Sequence, residues 1–118
     1  MTTLYGIKNC DTVKKARRWL EQRNIDYHFH DFREDGLDAE QLNTWLDELG
    51  WEQLVNRRST SWKALPQDVR DSMDRASAAK VVIQTPTLIK RPLLDTGSMR
   101  YVGFTEQSYA EIFTSHTL

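Results

Sequence analysis

Over its opening stretch, from Thr3 to Phe32, the chain changes hydrophobic period twice, and this restricts the folds open to it. Thr3 to Ile7 is a short apolar run, suited to a buried strand, which Gly6 and the Lys8–Asn9 pair then break. From Asp11 the apolar residues Val13, Ala16 and Leu20 recur at spacings of three and four, the period of a helix. Lys14, Lys15, Arg17 and Arg18 fall on its other sides, and Asn24 is the predicted stop. Asp26 to Phe32 alternates, with Tyr27 and Phe29 on one side and His28 and His30 on the other, which predicts a second strand. Two strands joined by a helix are expected to run parallel with a right-handed crossover, since a parallel pair needs a long connection.

The remaining signals are local. Asp35–Gly36 marks a turn. Asp38 is placed to cap a helix, with Gln41 at the capping-box position and Leu37 and Leu42 at the spacing of a hydrophobic staple. Leu42, Trp45, Leu46 and Leu49 form that helix's apolar stripe, and Gly50 ends it. Trp51 to Gln84 reads as helix in short pieces. Pro66 suits a first helical turn, Val69, Met73, Ala76 and Ala79 predict one continuing apolar face, and Pro86 stops the run. Leu93 to Asp95 and Met99 to Val102 flank Thr96-Gly97-Ser98, a hairpin signal. Thr105 then caps a last helix with Tyr109, Ile112 and Phe113 facing inward. The expected architecture is an α/β fold with a mixed β-sheet and an inserted helical block at about 38–84. A chain of 118 residues forms one such domain (1–118) with a core that needs no staples.

Charge and composition exclude several function classes. The formal net charge is −1, so neither nucleic acid nor a membrane surface is an expected partner. No apolar run reaches the roughly 20 residues of a spanning helix, and Met1 to Asn9 lacks the pattern of a secretory signal. One cysteine forms no internal disulfide, so the expectation is a cytoplasmic protein, acting as a monomer. His28 and His30 share a strand face but no third ligand stands at a standard spacing, so no metal site is expected. The Lys14–Arg18 cluster reads as a solvated helix face, with steering of an anionic substrate as the alternative.

The lone cysteine, Cys10, falls where the first strand hands over to the first helix. Unpaired backbone N–H groups and the helix dipole favour an anion there, and the thiolate is the reactive form of cysteine. Lys8 and Lys14 assist and Asp11 opposes. The competing reading is a small buried core residue. Because Val13 stands three places after Cys10, there is no Cys-x-x-Cys pair, and a redox-active Cys10 needs its reductant from outside, glutathione or a glutaredoxin.

Leu4-Tyr5-Gly6-Ile7-Lys8-Asn9-Cys10-Asp11-Thr12-Val13-Lys14-Lys15-Ala16 resembles the opening of the ArsC/Spx-like (arsenate reductase) family, in particular its YffB-like branch. The resemblance continues through His30-Asp31-Phe32-Arg33-Glu34-Asp35-Gly36-Leu37 and Asn56-Arg57-Arg58-Ser59-Thr60-Ser61-Trp62. It recurs at Thr85-Pro86-Thr87-Leu88-Ile89-Lys90-Arg91-Pro92-Leu93 and at Val102-Gly103-Phe104. It implies a thioredoxin-like fold with a helical insert, one of the arrangements that the element order allows. It also implies Cys10 as the catalytic residue, with Arg58 and Arg91 cradling an oxyanion or the anionic end of a thiol substrate. A guanidinium fork suits that task through paired hydrogen bonds. Lys8, Asn9, Thr12, Thr85 and Pro86 complete the implied anion site, with Pro86 resembling the cis-proline loop that faces the cysteine. On sequence alone Arg57 competes with Arg58.

Two departures bear on the substrate. Arsenate reductases proper carry histidine four residues before the cysteine and serine three after it, where this chain has Gly6 and Val13. Their third arginine falls at Gly103, with Arg100 nearby. The expected function is therefore a glutathione-dependent thiol oxidoreductase, with no bound cofactor and glutathione as co-substrate. The alternatives are a true arsenate reductase and an Spx-like regulator that contacts RNA polymerase.

Overall fold

Alternating and helical periods are realised in the order β1 (Thr3–Gly6), α1 (Asp11–Gln22), β2 (His28–Asp31), α2 (Phe32–Asp35), α3 (Ala39–Leu49), α4 (Trp51–Leu54) and α5 (Thr60–Lys63). There follow α6 (Gln67–Asp71), α7 (Arg75–Gln84), a 3-10 turn (Pro86–Leu88), β3 (Leu93–Asp95), β4 (Arg100–Val102) and α8 (Glu106–Ser115). The computed structural model describes residues 1–115. They divide into two units, Met1–His30 with the described residues from Arg91 on, and Asp31–Lys90.

The first unit is built on a four-stranded sheet of order β2-β1-β3-β4. Antiparallel β1 and β3 set Thr3 opposite Asp95, Leu4 opposite Leu94 and Tyr5 opposite Leu93, and β4 continues the row with Tyr101 opposite Leu94. β2 lies beside β1 after the α1 crossover, so the sheet is mixed, as the sequence predicts. One sheet face carries Leu4 and Leu94. Against them pack Ala16, Trp19 and Leu20 of α1 and Tyr109 of α8, with Phe29, Tyr101, Phe104, Ile112 and Phe113 around the rim. Side chains of this size contribute about 1.5–3 kcal/mol each when fully buried. The Tyr109 ring meets Trp19 edge-on at 5.6 Å and Phe104 edge-on at 4.6 Å, a favoured arrangement of ring quadrupoles.

Two terminal signals behave as expected. Asn24 adopts a left-handed φ of 57° just past α1, and Thr105 caps α8 by accepting the Ser108 N–H at 3.0 Å. β2, however, stops short of the predicted Phe32. The Asp31 carboxylate accepts the N–H groups of Arg33 (2.7 Å) and Glu34 (3.3 Å), which starts α2 and withdraws Phe32 from the strand.

In the second unit the Asp38 carboxylate caps α3 through the Gln41 N–H, and Gly50 ends it at a φ of 81° that few other residues adopt. Leu42, Trp45 and Leu46 are buried and Leu49 only partly so. The single apolar face expected from Val69 to Ala79 is broken. α6 ends at Asp71, and Asp74 opens α7 with a reciprocal capping box, its carboxylate on the Ser77 N–H at 2.8 Å and the Ser77 hydroxyl on its own N–H at 2.9 Å. That restart turns Ala78 and Val82 inward and leaves Ala76 exposed. Pro66 is the residue that caps α6 rather than a member of its first turn.

Candidate functional site

Cys10 is the N-cap residue of α1, half-buried, with extended backbone (φ −127°, ψ 121°). Its carbonyl accepts the Lys14 N–H at 2.9 Å, the first bond of the helix, while its side chain makes no capping hydrogen bond. The sulfur therefore stands where the first-turn N–H groups lack helical partners, the position that favours an anion. Lys8 and Asn9 precede it on the exposed β1–α1 turn, and Thr12 follows it, half-buried.

The two positions that depart from the arsenate reductases proper meet each other. A Cβ placed on Gly6 would lie 2.7 Å from Cγ2 and 3.3 Å from Cγ1 of Val13, and Val13 is fully buried. The strand that leads to Cys10 and the helix that follows it are thus clasped by an apolar contact that only glycine permits. A side chain at position 6 would collide with Val13, and position 13 presents two methyl groups where the arsenate reductases proper present a hydroxyl.

Arg91 belongs to the same unit. Antiparallel pairing of Tyr5 with Leu93 brings the start of β3 to the end of β1, and Arg91 lies two residues before that start. Arg91 is half-buried, and its guanidinium makes no hydrogen bond or ion pair among the described residues. Arg100, by contrast, is committed to Asp95 across the hairpin at 3.3 Å. The cis peptide bond joins Arg91 to Pro92, not Thr85 to Pro86, which corrects the expectation for Pro86. Pro86 instead opens the 3-10 turn, where its fixed φ fits and its missing N–H costs nothing.

Arg58, Thr85 and Pro86 lie in the second unit, on two loops that are hydrogen-bonded to each other. The Asn56 side-chain oxygen accepts the Arg58 N–H at 3.0 Å in an Asx turn, and Ser59 caps α5 by accepting the Trp62 N–H at 3.1 Å. This loop is tied to the turn after Thr85 by the Asn56 N–H on the Leu88 carbonyl (2.8 Å) and by the Ser61 and Thr87 hydroxyls (2.7 Å). Arg57, Arg58 and Lys90 then line an open cleft of about 480 Å³ with Glu52. The Arg57 guanidinium lies over the Trp51 ring at 5.5 Å, whereas that of Arg58 is exposed and makes no bond among the described residues. Here the geometry separates two arginines that are adjacent in sequence.

One arrangement escaped the sequence reading. In the Lys14–Arg18 cluster, Arg17 is not solvated: its guanidinium stacks on Phe29 at 4.1 Å and donates to the Tyr27 hydroxyl at 3.0 Å. The alternation of Tyr27 and Phe29 signals such partners only once the side of the sheet that α1 covers is known. His30, on the other side, stacks on Tyr5 at 4.9 Å. Among the described residues no group of three or more His, Cys, Asp or Glu is placed to hold a metal ion, and no helix is long and apolar enough to cross a membrane.

Comparison with known proteins follows the same residues. The family model of the ArsC family matches residues 5–112. The solved YFFB (PA3664) protein is 40% identical with a TM-score of 0.90, covering 94% of this chain and 97% of that one. An arsenate reductase (ArsC) related protein from Brucella melitensis is 49% identical with a TM-score of 0.79, covering 95% of this chain and 93% of its own. An uncharacterized protein of Haemophilus influenzae is 47% identical over 96% of this chain and 99% of its own length. The global transcriptional regulator Spx of Enterococcus faecalis is 30% identical over 90% of this chain and 81% of its own.

Proposed function

This chain belongs to the ArsC family, and from that membership we propose that it is a cytoplasmic, glutathione-dependent thiol oxidoreductase with Cys10 as its nucleophile. The observation that carries the reading is the placement of the chain's only thiol at the start of α1, half-exposed, with Val13 rather than a second cysteine three residues on. The Cys10 thiolate attacks the sulfur of a glutathione mixed disulfide. A disulfide to Cys10 forms, and the substrate thiolate leaves with the bonding pair. A glutathione thiolate then attacks the adduct, forming glutathione disulfide and restoring Cys10. Arg58 and Arg91, whose guanidinium groups have no protein partner among the described residues, are assigned to the carboxylate or oxyanion end of the substrate. Lys8, Asn9 and Thr12, which neighbour Cys10 in sequence, and Thr85 and Pro86 are assigned to the same anion. Gly6 and Val13, standing where the arsenate reductases proper carry histidine and serine, favour a disulfide substrate over arsenate.

The test pairs activity with mass. Wild-type chain incubated with oxidised glutathione should gain one glutathione adduct, on Cys10, which reduced glutathione removes. Cys10→Ser should lose both the adduct and glutathione-dependent disulfide reduction. Full activity in Cys10→Ser refutes the proposal.

The Spx relatives favour a second reading, an Spx-like binding protein that contacts RNA polymerase. Val13 denies it the Cys-x-x-Cys switch of the redox-sensing members. Co-purification with polymerase, unaffected by Cys10→Ser, would select this reading.

A further inference from the structure

The face of α1 that rises from Cys10 is cationic and open. Lys14, Arg17, Arg18 and Glu21 follow Cys10 at i+4, i+7, i+8 and i+11, one continuous helix face. From Cys10 to Arg18 the rise is about 12 Å at 1.5 Å per residue. Of the cations here, Arg17 is held by Phe29 and Tyr27, and Glu21 accepts the Tyr27 hydroxyl at 3.2 Å. Lys14, Lys15 and Arg18 are exposed and make no hydrogen bond or ion pair among the described residues. Arg18 stands on a ridge between two shallow clefts. One, of about 530 Å³, runs along Lys14, Arg17 and Glu21. The other, of about 540 Å³, is lined by Thr12, Lys15, Trp19, Phe104 and Glu106. Trp19 is buried beneath the Arg23 guanidinium, so the half-buried Phe104 supplies its aromatic surface, with cations at the rim.

We propose that this face docks an acidic segment of a protein partner, with its carboxylates on Lys14, Lys15 and Arg18 and an apolar side chain against Phe104. The segment's end then delivers a sulfur to Cys10. The inference rests on the thiol-exchange reading and specifies its partner as a protein with acidic residues around the reacting cysteine. Two adjoining open clefts on one ridge suit an extended chain better than a compact small molecule. Glu21 and Glu106 interrupt the positive charge where a nucleic-acid backbone would need it continuous. A chain of net charge −1 also lacks the general basic excess of a nucleic-acid binder. Local cations in a weakly acidic chain instead orient an acidic partner and speed its encounter.

The test uses two peptides with one cysteine each, activated as the thionitrobenzoate disulfide: one rich in Glu around a Leu, the other its Gln counterpart. Cys10 thiolate attacks the peptide sulfur, a Cys10–peptide disulfide forms, and thionitrobenzoate leaves as the coloured thiolate. At low salt the Glu peptide should react about tenfold or more faster than the Gln peptide. That ratio should fall toward one in high salt and in Lys15→Glu/Arg18→Glu. It should persist in Lys63→Glu/Lys80→Glu, which carries the same charge change on exposed lysines elsewhere. Should Lys15→Glu/Arg18→Glu misfold, Lys15→Gln/Arg18→Gln should give the same loss in smaller degree. A wild-type ratio of one, or a ratio unchanged in the α1 variants, overturns the proposal. Suppression of the ratio by duplex DNA or by S-methylglutathione, which has no thiol to react with the activated peptides, at lower concentration than by cysteine-free Glu peptide overturns it too, and assigns the face to that ligand. If Cys10 reacts with neither peptide, the thiol-exchange reading fails by itself. Fluorescence anisotropy of a labelled Glu peptide on Cys10→Ser still decides docking, which should match wild type.

Discussion

The Gly6–Val13 contact makes a quantitative prediction about the ground on which Cys10 stands. Gly6→Ala adds a methyl group at 2.7 Å from Val13 Cγ2, inside any real carbon–carbon contact, and both residues are buried. Overpacking of this kind costs about 1–3 kcal/mol. Val13→Ala removes two methyl groups from a fully buried side chain, at about 0.8 kcal/mol each plus a cavity contribution, or about 2–3 kcal/mol in total. In the double variant the new methyl occupies space that the valine vacated. Both the clash and part of the cavity vanish, so the pair should be less destabilising than the sum by about 1–2 kcal/mol. Urea unfolding of the four proteins, with equal m-values as the check on two-state behaviour, measures the coupling. Additivity within about 0.5 kcal/mol would refute the clasp.

Three further outcomes are expected. Tyr109→Phe removes a buried hydroxyl that has no partner among the described residues, and should raise the unfolding free energy by about 1 kcal/mol. Burial pushes the Tyr109 phenol above its ordinary range, so its contribution is intact below about pH 10 and lost as the unfolded chain ionises above it; the variant's advantage in urea should widen there. Arg58→Ala should raise KM for an anionic thiol substrate about tenfold with stability within about 0.5 kcal/mol of wild type, whereas Arg57→Ala should leave KM unchanged and lose about 0.5–1 kcal/mol from its contact with Trp51. The Ser77 backbone N–H, and then its hydroxyl, hold the Asp74 carboxyl below the usual carboxylate range. Asp74→Ala should therefore lower the thermal midpoint at neutral pH, and the difference from wild type should shrink as acid protonates Asp74.

Where the sequence was legible, local and tertiary forces agreed. The α1 stripe, the Asp38 cap, Gly50, the Thr96–Ser98 turn and the Thr105 cap each act within a few residues, and each is found where expected. The errors fall where two local signals competed. At Asp31 a carboxylate able to cap a helix prevailed over strand alternation, and at Asp74 a capping box reset a helical phase that looked continuous. The cis bond was illegible because Pro86 and Pro92 offer similar local choices, X–Pro isomers differing by only about 0.5–1 kcal/mol before tertiary context acts. The roles of Arg57 and Arg58 were hidden for another reason. Which of two adjacent guanidinium groups stacks on Trp51 depends on the Asn56 turn, and no periodicity encodes it.

Val13 ties the fold to the proposed chemistry through one side chain. Its methyl groups fill the space over Gly6, and its place three residues after Cys10 is where a resolving thiol would otherwise stand. An internal thiol acts at an effective concentration fixed by the fold, so resolution would proceed whatever the solution holds. With Val13 in that place, any adduct on Cys10 persists until an external thiolate reaches it, and its lifetime becomes inversely proportional to the concentration of reduced glutathione. On the proposed chemistry, the residue that secures the packing beside Cys10 would also be the one that makes turnover depend on the reductant pool. A Val13→Cys variant would couple the two effects: any gain in internal resolution would be opposed by the destabilisation that follows from loosening the Gly6 contact.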